Sequence, residues 1–169
     1  MKKLNSIILN ITVSIIDFLY KNHPIQRFWV LEEIARAPYF SFLSVLHFKE
    51  SLGLRGQLHL DLMKEHFEQT LNETEHLEYM ESIGGSERWI DRFFAKHLVL
   101  LYYWIMVFYY MFDPINAYDI NAKIELHAME TYLDYLWYHP NDEKIASIAV
   151  DEMNHSIDLL RAMEKIKNE

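Results

Sequence analysis

The sequence predicts an all-α protein built on a ferritin-like four-helix bundle, and three observations lead there. Glycine and proline number only four each in 169 residues, and they fall between stretches of helical periodicity. Apolar residues make up 51% and aromatic residues 15%, more than a typical soluble domain carries. Four separate stretches in helix-forming, largely apolar surroundings carry acids: RFWVLEEIAR (27–36), NETEH (72–76), IELHA (124–128) and DEMNH (151–155).

Composition narrows the function. The formal charge of −9 is spread along the chain, and no basic cluster marks a nucleic-acid surface. A net-negative protein gains nothing overall from anionic lipid, so membrane contact has to come from apolar area. There is no cysteine, which excludes disulfides, thiolate metal sites and thiol redox control. Any metal must be held by carboxylates and imidazoles, a set that suits iron and manganese.

The elements follow in order. Residues 1–20 run through Ile7, Ile8, Ile11, Ile15, Ile16 and Phe18. The stretch lacks a small-residue cleavage site and is interrupted by Asp17, which disfavours a signal peptide. Asn5, Asn10 and Asp17 also spoil the count for a spanning helix. The pattern predicts an amphipathic helix lying in a membrane interface. After a break at 21–24, a long helix is predicted from about 26 to 52, stopped by Gly53, and a second over 58–83, stopped by Gly84 and Gly85. Ser86 is the expected N-cap of the third helix, 88–112, with Asp91 early in it. That helix contains LVLLYYWIMVFYYMF (98–112), fifteen residues without a formal charge and rich in tyrosine and tryptophan. The run is too short to span a bilayer comfortably, and its aromatic residues favour the headgroup level. Asp113 and Pro114 open the next helix, which runs to about Tyr138. Residues 139–142 form a turn, and the last helix covers about 143–167. The chain is expected to be one domain, 1–169, with 1–22 and 88–112 as interfacial helices.

Helix geometry relates the four acids. Glu73 lies about eleven residues before the glycine stop, and Glu125 about eleven after Pro114. At 1.5 Å per residue, each sits roughly 16 Å from its helix end. Glu125 and Glu152 lie roughly 20 and 15 Å from the 139–142 turn. If the helices pair antiparallel, the acids fall at comparable depth, where a carboxylate is costly unless it is paired or metal-bound. Two of the stretches read Glu-x-x-His, a spacing that puts both side chains on one face. A chain of this composition yields roughly one such match by chance, so the signal is placement. In order the chain offers Glu32, then Glu73 with His76, then Glu125, then Glu152 with His155. That is the ligand set of a carboxylate-bridged di-iron centre in a four-helix bundle. Glu33, Glu75 and Glu130 adjoin the proposed ligands and read as solvated or supporting acids, and Glu65, Glu68, Glu78 and Glu81 as a polar face. His47, His66, His97 and His127 read first as structural histidines. Tyr132, two turns after Glu125, reads as a core residue, or as a phenol able to supply an electron and a proton beside the metals.

With these residues in view, the chain resembles the alternative oxidase family, closest to its plastid terminal oxidase (plastoquinol oxidase) branch. The stretches that carry the likeness are RFWVLEEIARAPYFSFLSVLHFKESLG, HFEQTLNETEHLEYMESIGG, RWIDRFFAKHLVLLYYWIMVFYYMFDPINAY, ELHAMETY and DEMNH. The resemblance implies six helices: four in the di-iron bundle, and two (5–20 and 88–112) forming an apolar surface that dips into one leaflet. It implies a homodimer and two Fe ions held by Glu32, Glu73, His76, Glu125, Glu152 and His155. It implies a quinol pocket lined by Arg27, Leu31, Thr131 and Tyr132, and functional importance for His47, Tyr110, Tyr132 and Asp151. The activity it implies is oxidation of plastoquinol or ubiquinol with reduction of O2 to water, without proton pumping. The location it implies is monotopic, on a thylakoid or bacterial inner membrane.

Three departures accompany the likeness. Glu33 stands where the family has threonine, adding a charge near the pocket. Ala149 and Val150 precede Asp151 and Glu152 where the family has arginine and an acid. Only 26 residues separate Glu125 and Glu152, fewer than in plant members, which together with the short chain suggests a bacterial or viral form. Three other readings stand beside the oxidase: a di-iron hydroxylase of quinone biosynthesis, a ferritin-like ferroxidase and a metal-free membrane scaffold. The uncharged 98–112 run weighs against a soluble ferritin-like shell.

Overall fold

The computed structural model describes residues 2–168 and contains six α-helices and no strand among them. They are α1 (Lys2–Tyr20), α2 (Pro24–Ser51), α3 (Gln57–Ser82), α4 (Trp89–Phe112), α5 (Pro114–Tyr138) and α6 (Glu143–Lys167). The all-α expectation is borne out, with helix ends within a few residues of those read from the glycine and proline positions. The chain divides into two compact units. One is Ile25–Ala117; the other joins the N-terminal segment through Pro24 to the chain from Tyr118 onward.

In the Ile25–Ala117 unit, α2 is buried all round in its first half, while Phe40, Ser44, His47 and Phe48 are exposed further on. Its residues Phe28 to Glu33 are six consecutive buried positions, which no one-sided surface helix allows. Pro38 is the exception among the prolines: it lies buried inside α2, within the helix predicted over 26–52. It removes the ladder bond to the carbonyl of Ile34, and the surrounding packing carries the helix through. The α3 helix ends where Gly84 takes φ +94°, a conformation glycine adopts without strain. Gly85 is required for space: a Cβ there would lie 2.7 Å from the Trp29 Cβ and 2.8 Å from the Met80 carbonyl oxygen. The Trp29 indole donates to Glu81 at 3.2 Å, tying α2 to α3.

Ser86 is not the N-cap of α4. The turn through Gly84 is still closing at Glu87, whose N–H donates to the Gly84 carbonyl at 3.3 Å. The helix therefore starts after Arg88, which makes no side-chain cap. The Arg92 guanidinium reaches back instead, to the carbonyls of Ser86 and Glu87. Between α2 and α4, Ser44 and Tyr103 hydroxyls pair at 2.8 Å, and the Phe42 and Tyr110 rings lie 4.5 Å apart.

In the other unit, α1 packs against α5 through a buried polar link. Asn5 Nδ2 donates to Asp119 Oδ2 at 2.9 Å, and Lys123 donates to the same oxygen at 2.5 Å. On α6, Ser156 donates to the Ala122 carbonyl of α5 at 2.9 Å. Asp142 caps α6, accepting from the Ile145 N–H at 3.1 Å.

Two helices present apolar faces outward. On α1 the exposed stripe is Leu4, Ile7, Ile8, Ile11, Ile15 and Phe18; on α4 it includes Phe94, Leu98, Leu101, Ile105, Phe108 and Phe112. Both stripes follow the three- and four-residue spacing of one helical face. By length and composition both helices are apolar enough to cross a membrane, and only 11% of α1's apolar window and 17% of α4's is buried. The uncharged run of α4 is preceded by nine further helical residues.

Candidate metal centre

Each unit assembles one acid and one Glu-x-x-His pair. In the Ile25–Ala117 unit these are Glu32 from α2 and Glu73 with His76 from α3, none more than 1% exposed. One ligand atom from each lies within 4.8 Å of the others, and His76 Nδ1 is 3.6 Å from Glu32 Oε2. Burial pushes the Glu32 carboxyl up to about 8. The neighbouring Glu73 charge adds to that rise, and the His76 hydrogen bond offsets part of it. The other unit repeats the pattern with Glu125 from α5 and Glu152 with His155 from α6. Again one ligand atom from each lies within 4.8 Å of the others, and His155 Nδ1 is 3.9 Å from Glu152 Oε2.

This donor set fits a metal ion. Its atoms are carboxylate oxygens and imidazole nitrogens, suited to iron or manganese. The fully buried carboxylates are expensive to ionise without a cation, as the raised Glu32 shows.

The remaining sequence-derived residues take varied places. On α5, Tyr132 is fully buried, two turns beyond Glu125, and Thr131 is buried beside it with its hydroxyl donating to the His127 carbonyl at 2.9 Å. On α2, Leu31 is buried and Arg27 half-buried. Asp151 is half-buried next to Glu152. Tyr110 is buried against Phe42, with the Lys49 ammonium 5.7 Å from its ring centre, and His47 is exposed on α2. Neither of the last two joins a triad. Of the histidines read as structural, His66 is fully buried and paired with Gln69 at 2.8 Å.

The sequence reading left Glu33 between a solvated and a supporting acid, and it did not single out Asn121. Glu33 is buried at 4% exposure and ion-paired with Arg36 at 3.3 Å, because α2 has no solvent face at that level. Asn121 is fully buried one turn before Glu125; stepping back four residues from the acid would have found it.

The sequence model of the family described as "Alternative oxidase" matches residues 7–156. The chain belongs to the alternative oxidase family. Family members are di-iron four-helix bundles, and the six-helix architecture here is compatible with that fold. Over 132 residues the chain is 42% identical to ubiquinol oxidase 4, chloroplastic/chromoplastic, of Arabidopsis thaliana, which supports the plastid terminal oxidase branch. The match covers 78% of this chain and 37% of that relative, so the chain spans little more than a third of the relative's length. No solved structure matches the chain.

Proposed function

We propose that the protein is a membrane-surface quinol oxidase, passing the electrons of two quinols to O2 and releasing two waters. The observation that carries this reading is the repeated buried triad in a chain of the alternative oxidase family. Glu32, Glu73, His76, Glu125, Glu152 and His155 are the residues that would hold two iron ions. Charge supports two ions over one, since four carboxylates balance two divalent cations when both imidazoles are neutral. Bound iron would supply the several electrons that O2 reduction takes in quick succession.

The chain's own residues would do the rest. Arg27 would hydrogen-bond a quinol oxygen, and Leu31, Thr131 and Tyr132 would line its pocket. Tyr132 would give and recover an electron and a proton through its phenol. Asp151 would orient the α6 ligands from behind, as outer carboxylates do. Quinol is an apolar molecule of the bilayer, so its oxidase needs an apolar mouth at the membrane. The α1 and α4 stripes would supply it by lying in one leaflet. The buried Asn5–Asp119 link supports an interfacial α1, because it keeps one face of α1 on its own unit while the apolar face points outward. With no path for protons across the membrane, turnover would not pump them. The quinol is plastoquinol or ubiquinol, the membrane a thylakoid or a bacterial inner membrane, and the assembly a homodimer. The relative's name, a chloroplast ubiquinol oxidase, is compatible with either quinol.

Oxygen uptake by the iron-loaded, detergent-solubilised protein given a short-chain quinol tests this reading. Cyanide-resistant uptake with water as product, abolished in Glu73→Ala, is expected. Two bound irons without uptake would sink the oxidase reading, and no bound iron would sink the metal centre with it.

A further inference from the structure

One face of α5 is a continuous buried stripe of Tyr118, Asn121, Glu125, Ala128 and Tyr132, none more than 2% exposed. Asn121 is the odd member. Neither its Oδ1 nor its Nδ2 has a hydrogen-bond partner among the described residues. A primary amide offers two donors and two acceptor lone pairs, and buried polar groups that stay unpaired are rare enough in folded proteins to need a reason. Leucine has the same branched four-atom side-chain skeleton with no polar atoms, so side-chain shape alone gives no reason for asparagine.

We propose that Asn121 holds a water molecule that hydrogen-bonds onward to the Glu125 carboxylate. On this view Asn121 is a positioning residue that fixes which way the carboxylate is presented. Residues four apart on a helix have Cβ atoms about 5–6 Å apart, a gap that one water with two hydrogen bonds spans. Helical side chains tilt toward the N-terminus, so Glu125 leans back over Asn121 rather than away from it. The site is polar, and the amide gives the water both a donor and an acceptor, as a stably buried water needs. The inference rests on Glu125 being a metal ligand only for its consequence at the metal. The hydration itself is a property of the metal-free chain.

The test uses the full chain with Asn121→Leu and Asn121→Ser. Oxygen-17 relaxation dispersion of water counts long-lived buried waters, and Asn121→Leu is expected to show one fewer than the parent, at an equal or lower melting temperature. Serine keeps a hydroxyl and leaves room for water, so Asn121→Ser is expected to retain the signal. For Co2+ added alone, Asn121→Leu should bind at least tenfold more weakly, the range expected when a group supporting a ligand is lost. Its visible Co2+ band should be altered, and Asn121→Ser should restore most of both. An unchanged water count, or a higher melting temperature in Asn121→Leu, would overturn the proposal by showing a merely orphaned amide. A parent that binds no Co2+ would defeat the metal centre, leaving the water count and melting temperature to decide the Asn121 water. An unchanged Co2+ band and affinity alongside a lost water would overturn the positioning role.

Discussion

Glu32 carries its proton to about pH 8 in the metal-free fold, against an ordinary value of 4.5, chiefly because burial disfavours the carboxylate. The sign of the consequence is fixed. Between 4.5 and 8 the folded chain holds a proton that the unfolded chain has released, so stability from this group is complete below pH 4.5 and declines up to pH 8. The metal-free protein should therefore melt at progressively lower temperature from pH 5 to pH 8, and Glu32→Gln should flatten that slope. A slope of the same size in Glu32→Gln would show that another group sets it. Gly85 makes a second residue-scale case. Its missing Cβ leaves the space that the Trp29 Cβ and the Met80 carbonyl need. Forcing a methyl in should cost about 1–3 kcal/mol, seen as a lower denaturation midpoint in Gly85→Ala. Gly56 has open space around its Cβ position, and Gly56→Ala should show no comparable loss.

Elements were the most legible part of the sequence. Glycine at 53 and 84–85 and proline at 114 and 140 set the helix ends, because φ > 0 and the missing N–H act locally whatever the tertiary packing does. Pro38 sets no helix end for the complementary reason: it is buried inside α2, and the packing around it overrides a local breaker. Asn5 reads in the sequence as a flaw in an apolar helix. In the fold it points inward, to Asp119, while the apolar stripe from Leu4 to Phe18 faces out. Periodicity reports two faces but not which of them is covered. The triads were legible as spacings, whereas the burial of Glu33 and Asn121 depends on neighbouring helices that no local pattern reveals. The outward stripes carry their own prediction. Burying one isoleucine side chain in lipid contributes about 1.5–3 kcal/mol. Ile105→Glu on α4 should therefore weaken partition into neutral phosphatidylcholine vesicles more than tenfold, measured by flotation, with melting temperature unchanged because Ile105 is exposed. Equal flotation of parent and variant would remove α4 from the membrane surface.

At the scale of the whole molecule, the 51% apolar content and the buried carboxylates pull in opposite directions. Burial of apolar area stabilises the fold, while each ionised acid taken from water opposes it. In the proposed centre a divalent metal resolves that conflict, because it binds the folded chain and not the scattered ligands of the unfolded one. Such a ligand stabilises by about 2.7 kcal/mol at one hundred times its dissociation constant. Iron(II) loading under anaerobic conditions should accordingly raise the melting temperature by several degrees, and a chelator should reverse it. Loading should also abolish the pH 5–8 slope, since the metal displaces the Glu32 proton. The two triads provide an internal control: Glu73→Ala and Glu152→Ala alter different units, yet each should lower bound iron below two per chain and shrink the thermal shift. Full iron content and a full shift in both variants would show that the triads are not the ligands, and the buried acids would then need another partner.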